Sequence, residues 1–325
     1  MRTLSRLATA TLIAAGVVAA AAPVCAQGYP ARPVRFIVPT SPPGGADVVA
    51  RLIAQPLSER LGQQVVIDNR AGASTMIGGE LAAKAQPDGY TLLMGISTLA
   101  INPATFRKVP YDALRDFAPI THAVKQTLVL AAHPSFPAKT VKELIAIAKA
   151  QPDAINYSSP GFGTNPQMGM ALFIHMTGIR IYHVPYRGGG ESIIAVVSGH
   201  VPVTIASMLG TIPHVRSGRL RALGVTSATR TAGAPDVPSI AEAGVPGYES
   251  LQWYGLLAPA GTSREIVARL SRETVAILRT PEIADRLVND GSTVVAGTPE
   301  EFGAYIRAET EKWAKVAKAA GIRPE

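Results

Sequence analysis

The sequence predicts an α/β fold built from two similar halves. Short apolar segments typical of buried parallel strands alternate with amphipathic helical patterns along most of the chain. A loop of serine, proline and glycine recurs in this alternation, at residues 41–45 and again at 159–163, each time between a strand and a helix. Residues 27–325 number 299, which is too long for one small core and suits two domains.

The first strand–loop–helix unit spans residues 35–61. Phe36 to Val38 form an apolar strand, and Pro39 ends it because proline has no N–H for the next hydrogen bond. The Ser-Pro-Pro-Gly-Gly loop at 41–45 fits neither regular structure. Apolar residues at helical spacing then run from Val48 to Leu61, so the unit predicts a strand, a tight loop and a helix.

A loop of this kind at a helix N-terminus can hold an anion. The first N–H groups of a helix have no partner inside it, and the helix dipole is positive there. Gly44 and Gly45 would let a ligand approach the backbone. An ordinary strand–helix connection is the alternative, and the loop alone does not decide between the two.

The remainder of the first half continues the alternation. Strands are predicted at 65–68 and 90–94, with a helix between them that ends near residue 86. Ser97 and Thr98 follow the second of these strands, so they are expected at its carboxyl end. That is the same sheet edge as the 41–45 loop, and ligands bind at this edge in open α/β sheets.

The second half is predicted to begin near Thr127. Strands are expected at 128–132, 155–157, 181–184, 201–206 and 220–225, with helices over 140–150, after 165 and around 193–197. The loops at 158–165 and 185–190, and Ser207, then follow strand ends. They repeat the arrangement of the first half.

The C-terminal part is predicted to be mainly helical and to return to the first half. Residues 234–247 are rich in proline and glycine, with a short helix capped by Ser239 and Glu242, and a strand is expected at 253–259. Capping boxes at 262–265 and 298–301 predict two helices. The last carries an apolar face that must pack on another element, and the chain is expected to cross between halves near 124–128 and 250–255. We therefore predict domain 1 as 27–126 plus 254–325 and domain 2 as 127–253.

The N-terminus, residues 1–26, has the pattern of a signal peptide. Arg2 and Arg6 precede an apolar, alanine-rich stretch at 7–22, and Val24-Cys25-Ala26 has the small residues of a cleavage site. The pattern predicts an exported, periplasmic protein that is cleaved near Ala26. A lipid anchor on Cys25 is the alternative, although the residues before it fit a lipid-attachment box poorly. Because Cys25 is the only cysteine, the mature chain is expected to have no disulfide and no thiol nucleophile.

The charge pattern argues against a nucleic-acid partner. The full chain has a formal net charge of +8, and loss of the two signal-peptide arginines leaves 29 basic and 23 acidic residues, or +6. The basic residues are dispersed, so neither nucleic acid nor a membrane surface is the expected partner. An anionic small ligand fits mild basicity better.

The motifs of the common enzyme classes are absent from the sequence. It has no GxGxxG, GxxxxGK[ST], GxSxG or HExxH pattern, and no two of its six histidines lie three to five residues apart. The histidine spacing therefore predicts no metal site, and we expect structural roles for His175 and His183. Asp47 could be a general base, but a cap or dipole partner is the stronger interpretation at the first turn of a helix. Arg187 could pair with a carboxylate or be a solvated surface residue, and Trp253 could line a cleft or fill a core.

Taken together, the motifs resemble those of the Bug family, the periplasmic solute-binding receptors of tripartite tricarboxylate transporters. Among them are Pro-Thr-Ser-Pro-Pro-Gly-Gly-Ala-Asp at 39–47 and His-Val-Pro-Tyr-Arg-Gly at 183–188. Others lie at 69–73, 87–93, 111–119, 217–223, 235–239, 258–262 and 311–313. The resemblance covers essentially the whole mature chain. It implies a two-domain Venus-flytrap architecture that closes on a small carboxylate, without a cofactor and without catalysis.

The resemblance also implies the ligand-binding residues. The family's ligand loops fall on Thr40, Ser41, Pro43, Gly44, Gly45, Asp47, Ser97 and Thr98 in the first domain, and on Gly161, Gly163, Thr164, Asn165, Tyr186, Arg187, Gly188, Ala206 and Ser207 in the second. Three positions depart from the family pattern: Pro43 replaces a common glycine, Thr40 a frequent phenylalanine and Gln167 a common histidine. These departures bear on which carboxylate is bound, which could be a di- or tricarboxylate, an acidic amino acid or an aromatic acid.

The resemblance implies membrane permease subunits as partners, and we expect the receptor itself to be a monomer. A periplasmic sensor that presents its ligand to a signalling protein is the alternative within binding proteins. A periplasmic hydrolase or isomerase is the alternative from another class.

Overall fold

The computed structural model describes residues 28–42, 44–289 and 291–324, so the predicted signal peptide and Pro43 lie outside the described residues. The strands are β1 (Val34–Val38), β2 (Val65–Asn69), β3 (Thr91–Ile96), β4 (Phe117–Ala132), β5 (Asn156–Ser159), β6 (Tyr182–Pro185), β7 (Val203–Ser207), β8 (Arg221–Val225), β9 (Leu251–Pro259) and β10 (Ser292–Val294). The helices are α1 (Gly45–Leu61), α2 (Met76–Ala83), α3 (Thr98–Thr105), α4 (Val141–Ala150), α5 (Asn165–Thr177), α6 (Gly189–Val197), α7 (Met208–Arg216), α8 (Arg264–Leu278), α9 (Pro281–Asn289) and α10 (Pro299–Ala319).

Local sequence signals account for the helix ends. Helix α1 stops at Gly62, whose φ of 70° is the left-handed conformation that glycine adopts without strain. Helix α10 begins with a full capping box, because Thr298 and Glu301 each accept a hydrogen bond from the other's backbone N–H. Within the part of the chain that the structure describes, none of the helices is long and apolar enough to cross a membrane.

The strands form one mixed sheet with two sections. Their order is β2-β1-β3-β9-β4-β7-β5-β6, with β8 and β10 also paired to β4. In the first section β1 runs parallel to β2 and β3, and in the second section β5 runs parallel to β6 and β7. Strand β4 belongs to both sections, since residues 117–127 pair with β9 and residues 128–132 pair with β7.

The chain passes between the two sections at residues 124–128 of β4 and at residues 250–254, which are Ser250 and the start of β9. We call these two stretches the crossing pair. Thr127 pairs with Leu251, and the next residue, Leu128, pairs with Ser207 of β7. Ser250 donates its N–H to the carbonyl of Thr226 in the second section. Two continuous strands thus connect the sections side by side.

Each section has apolar clusters on both faces of its sheet. In the first section α1 packs Ile53 and Leu57 on Phe36, while α10 packs Phe302 and Trp313 on the opposite face. In the second section, one cluster is built around β5, α4 and α5, and the other around α6 and β8. Met168 of α5 joins the cluster of α10, so apolar contact continues from one section into the other.

The structure corrects four local predictions. Strand β4 starts at Phe117, not at residue 128, because its polar and proline-containing first part pairs with β9 through two bulges. The segment after Ser239 makes a single turn and no helix, although Ser239 and Glu242 do form the predicted reciprocal hydrogen bonds.

The other two corrections concern the C-terminal part. Helix α8 is capped by Ser263, whose side chain accepts the N–H of Ile266, whereas the predicted cap, Thr262, donates to Pro259. The C-terminal part also has three helices and the short strand β10 where two helices were predicted.

Gly255 allows α10 to pack on the crossing strands, so we predict that Gly255→Ala destabilises the protein. An added Cβ would lie 2.3 Å from Cζ of Phe302 and 2.8 Å from the backbone oxygen of Thr121. Overpacking of this kind costs about 1–3 kcal/mol. Urea unfolding monitored by circular dichroism measures the loss.

Gly303→Ala on α10 is the matched control. Its Cβ would meet only Pro119 at an ordinary 3.5 Å, and alanine favours a helix over glycine by about 1 kcal/mol. We expect this variant to be as stable as the wild type or more so. Equal stability of the Gly255→Ala variant would contradict the packing of Phe302 on β9.

Candidate functional site

The loop between β1 and α1 leads into a helix N-terminus without a side-chain cap. Gly44 is the N-cap residue, in extended conformation, and its carbonyl accepts the first helical hydrogen bond, from Val48. The N–H groups of residues 45–47 therefore have no acceptor within the helix. Thr40 and Gly44 are half-buried and Ser41 is exposed, so the loop borders solvent; Pro43 lies outside the described residues.

Gly45 brings this helix turn against the crossing pair. A Cβ at Gly45 would lie 2.4 Å from the hydroxyl oxygen of Tyr254 and 3.6 Å from Oε1 of Gln126. No larger residue fits there without moving Tyr254. The sequence analysis attributed this glycine to ligand approach, and the structure adds contact with β9 as a physical reason for it.

Asp47 stabilises the loop through a hydrogen-bond network. Its carboxylate accepts two hydrogen bonds from Arg51 and one from Nδ2 of Asn69, which also donates to the carbonyl of Thr40. Burial alone would raise the pKa of Asp47, but the hydrogen bonds and charge of Arg51 and the bond from Asn69 hold it below its usual value. The carboxylate is thus ionised, and Arg51 balances its charge. It is not the N-cap of the helix.

Ser97 and Thr98 lie at the carboxyl end of β3, at the start of α3. Ser97 is the N-cap residue and is fully buried, and its hydroxyl donates to Oε1 of Gln252 at 2.7 Å. Thr98 Oγ1 lies 2.6 Å from Thr75 Oγ1. Both predicted residues therefore contact polar groups at the edge where the β1–α1 loop lies.

The turn before α2 is a part of this edge that sequence reasoning did not single out. Ala73, Ser74 and Thr75 have φ values of 45°, 49° and 72°, which is a run of left-handed residues without glycine. Such conformations cost of order 1–3 kcal/mol each and often mark functional sites. Asn102 donates to the carbonyl of Ser74. Gly72 signalled a turn in the sequence, but nothing in residue type predicted three left-handed positions after it.

The loop between β5 and α5 approaches the first section. The hydroxyl of Thr164 donates to the carbonyl of Gly161, and Gly163 has φ +70°. A Cβ at Gly163 would lie 2.9 Å from the ring of Phe106, which itself forms an edge-to-face pair with Phe162. This loop therefore packs against the C-terminal end of α3.

Asn165, at the start of α5, contacts the crossing pair directly. Its Nδ2 donates to the carbonyl of Leu251, and its Oδ1 lies 3.4 Å from the hydroxyl of Ser250. Strand ends from both sections thus border the same short stretch of β4 and β9.

The other predicted residues of the second section differ in exposure. Arg187 is exposed, and its N–H donates to Glu191. Tyr186 and Gly188 are half-buried, and Gly188 is the N-cap residue of α6. Ser207 is the half-buried N-cap residue of α7, whereas Ala206 is buried in an apolar cluster.

His183 supports the β5–α5 loop from the neighbouring strand. Its Nε2 lies 2.6 Å from the hydroxyl of Ser159, its ring stacks on Tyr157, and Ser159 accepts the N–H of Gly161. Burial lowers the pKa of His183 to about 4. Among the residues with described positions, no three histidine, cysteine or acidic side chains group to hold a metal ion.

A family model described as "Tripartite tricarboxylate transporter family receptor" matches residues 49–322. The chain belongs to this family. Protein BugT of Bordetella pertussis is 36% identical over 305 residues, which cover 93% of this chain and 94% of that protein.

Two solved structures similar to this chain hold a named carboxylate. Rpa4515 of R. palustris with adipate has a TM-score of 0.85 and 36% identity, and the match covers 91% of this chain and 100% of that one. MatC of Rhodopseudomonas palustris with bound malate has a TM-score of 0.79 and 30% identity, and the match covers 89% and 99% of the two chains.

Membership confirms the Bug-type resemblance and the α/β periplasmic-binding-protein fold. The family consists of periplasmic solute-binding receptors, so this chain is a binding protein and not an enzyme. The residue-level site and the domain limits at 126/127 and 253/254 stay predictions.

We predict that His183 makes the protein less stable in acid. Its folded pKa of about 4 lies below the unfolded value of about 6.5, so the unfolded state binds more protons as the pH falls through that window. The titration of His183 therefore does not reduce the free energy of unfolding above about pH 6.5, and it reduces that free energy progressively as the pH falls from there towards 4. At pH 4.5 this linkage removes about 2 kcal/mol from the free energy of unfolding.

Urea unfolding at pH 7 and pH 4.5 tests this prediction. His183→Gln keeps a hydrogen-bonding partner for Ser159 without taking up a proton, so its stability should fall less between the two pH values. The exposed His175, on α5, provides the control, and His175→Gln should keep the wild-type pH profile. A profile unchanged by His183→Gln would contradict the neutral state of the half-buried His183.

Proposed function

We propose that this protein is an exported receptor that captures a small carboxylate between its two sections for a tripartite tricarboxylate transporter. The observation that carries the proposal is the convergence at the crossing pair. The N-terminus of α1 and Ser97 reach it from one side, and Asn165 and Ser207 reach it from the other. Relatives with the same fold hold adipate and malate, which supports a carboxylate as the ligand class.

The electrostatics of the first section favour a carboxylate held by neutral donors. The N–H groups at the start of α1 point towards the loop, and a helix N-terminus stabilises a negative charge by about 0.3–1 kcal/mol. Asp47, the acidic group nearest to these N–H groups in sequence, is neutralised by Arg51 and so opposes an anion less. Proposed ligand residues here are Thr40, Ser41, Pro43, Gly44, Gly45, Asp47, Ser97 and Thr98, and the turn at 72–75 is a further candidate.

The second section is proposed to contact the other end of the ligand. The proposed residues are Gly161, Gly163, Thr164, Asn165, Tyr186, Arg187, Gly188, Ala206 and Ser207. Pro166 follows Asn165 and has no N–H, so α5 offers one donor fewer than α1 does. We therefore assign the main charge-binding role to the first section.

The domain division follows the change of strand partners. We propose that residues 27–126 with 254–325 form one domain and residues 127–253 the other. The change of partner from β9 to β7 after Thr127 supports the first limit. Hinge closure around the crossing pair would then bring the two sets of loops together.

The proposal also includes the export of the receptor to the periplasm and its membrane permease partners. The pattern of residues 1–26 supports cleavage near Ala26 and a periplasmic location, and membership of a transporter-receptor family supports permease subunits as partners. We propose a monomeric receptor, as hinge closure requires no second copy. A receptor that presents the ligand to a sensor would bind it with the same geometry, and a permease-dependent uptake assay separates the two roles.

We predict that small carboxylates stabilise the mature protein. A ligand at 100 times its Kd raises the free energy of unfolding by ~2.7 kcal/mol, which shifts the melting temperature by several degrees. Adipate and malate are the first probes, with a neutral sugar and a cationic diamine as controls. Stabilisation by the sugar or the diamine alone would overturn the proposal.

We also predict that substitutions in either section weaken binding. Gly44→Val and Gly189→Val each add a side chain beside a helix N-terminus, at backbone angles open to any residue. The Cβ at Gly44 would lie 3.1 Å from the carbonyl oxygen of Ser41, so the loop must shift by a few tenths of an ångström, whereas the Cβ at Gly189 meets nothing within 4 Å. Loss of one hydrogen bond to a charged group weakens binding roughly tenfold or more. Titration calorimetry with the stabilising carboxylate measures the effect. Gly163 is unsuited to this test, since a side chain there would also meet Phe106.

Gly28→Val is the matched control, because Gly28 lies before the amino end of β1 and has no atom within 4 Å of an added Cβ. Its affinity should equal that of the wild type. If Gly189→Val binds normally while Gly44→Val does not, the N-terminus of α6 is not part of the ligand site.

A further inference from the structure

Two glutamines in the crossing pair point to the same side of the sheet. Gln126 of β4 and Gln252 of β9 are directly opposite in the antiparallel register, so their side chains project from the same face. Tyr254 lies on that face too, beside Gly45 of α1. The alternate residues, Lys125 and Trp253, face α10 on the other side.

The oxygen atom of each glutamine amide is already bound. Oε1 of Gln126 accepts a hydrogen bond of 3.2 Å from the hydroxyl of Tyr254, and Oε1 of Gln252 accepts one of 2.7 Å from the hydroxyl of Ser97. Neither Nε2 atom donates to a residue that the structure describes. Each amide is therefore oriented with its two N–H donors free for another acceptor.

The position of Gln126 relates these donors to the start of α1. Gln126 is only 4% exposed, and its Oε1 is 3.6 Å from the point where a Cβ of Gly45 would be. The N–H groups of the first turn of α1 lie on the same side of the crossing pair.

We propose that Gln126 and Gln252 are ligand-binding residues that donate Nε2–H hydrogen bonds to the carboxylate held at the N-terminus of α1. This proposal rests on the proposed function. It adds that β4 and β9 bind one end of the carboxylate ligand through these two side chains. An ionised carboxylate only accepts hydrogen bonds, so it matches a set of donors without a positively charged side chain. The ligand contact is then made by the strands about which the sections would close.

The test compares near-isosteric variants without donors. Gln126→Met and Gln252→Met keep the length of the side chain and remove both N–H groups, and titration calorimetry uses adipate and malate as probes. Hydrogen bonds to a charged group account for roughly a 10- to 100-fold change in Kd, and we expect a rise of that size in each variant. Gln151→Met, at the exposed C-terminal end of α4, should bind as the wild type does.

A second substitution keeps the test decisive if Gln126→Met does not fold. Gln126→Glu retains an acceptor for Tyr254 but places a negative charge beside the carboxylate, so binding should weaken more than in Gln252→Met. Circular dichroism melting without ligand confirms that the half-buried Gln252→Met variant is folded.

The outcomes separate this proposal from the proposed function. If the wild type binds and the folded glutamine variants bind equally well, the glutamines are not ligand residues, and the proposed function stands. If the wild type binds neither these probes nor any carboxylate that stabilises it in the thermal screen, both proposals are overturned. Weakened binding in the glutamine variants, with a normal Gln151→Met variant, supports both.

Discussion

The pairing of β4 with β9 is the interaction on which the rest of the structure depends. These two strands hydrogen-bond from Phe117–Pro259 to Thr127–Leu251, and β4 then continues into the second section. Helix α1 packs on one face of the pair through Tyr254, and α10 packs on the other through Trp253. Because strand side chains alternate between faces, the same stretch supplies an apolar surface to α10 and polar side chains to the proposed ligand site.

Neutral donors make this site suited to reversible capture of an anion. The carboxylate of Asp47 accepts hydrogen bonds from Arg51 and Asn69. The proposed hydrogen-bond donors to the ligand are backbone N–H groups and glutamine amides. A buried unpaired cation would instead carry a large desolvation cost whenever the ligand is absent. Oriented neutral donors have a smaller cost in the open, solvated protein, so the receptor can remain stable without ligand.

The sequence predicted the parts of the fold that depend on local chemistry. Pro39 and Gly44 cannot continue a strand or a helix interior without cost, so the β1–α1 loop was placed correctly, and the same reasoning located the loop at 159–163. Strand β4 before residue 128 was missed because Pro119, Thr121 and His122 break the apolar pattern, and its pairing with β9 is non-local. The opposition of Gln126 and Gln252 could not be predicted for the same reason, since register across 126 residues has no local signal.

A crystal structure with the tightest-binding carboxylate tests the central claim most directly. Our account predicts one carboxylate within hydrogen-bonding distance of the backbone N–H groups of residues 45–47 and of Nε2 of Gln126, with residues of the second section touching the other end of the ligand. A ligand held by one section only, or bound away from the crossing pair, would contradict capture between the two sections.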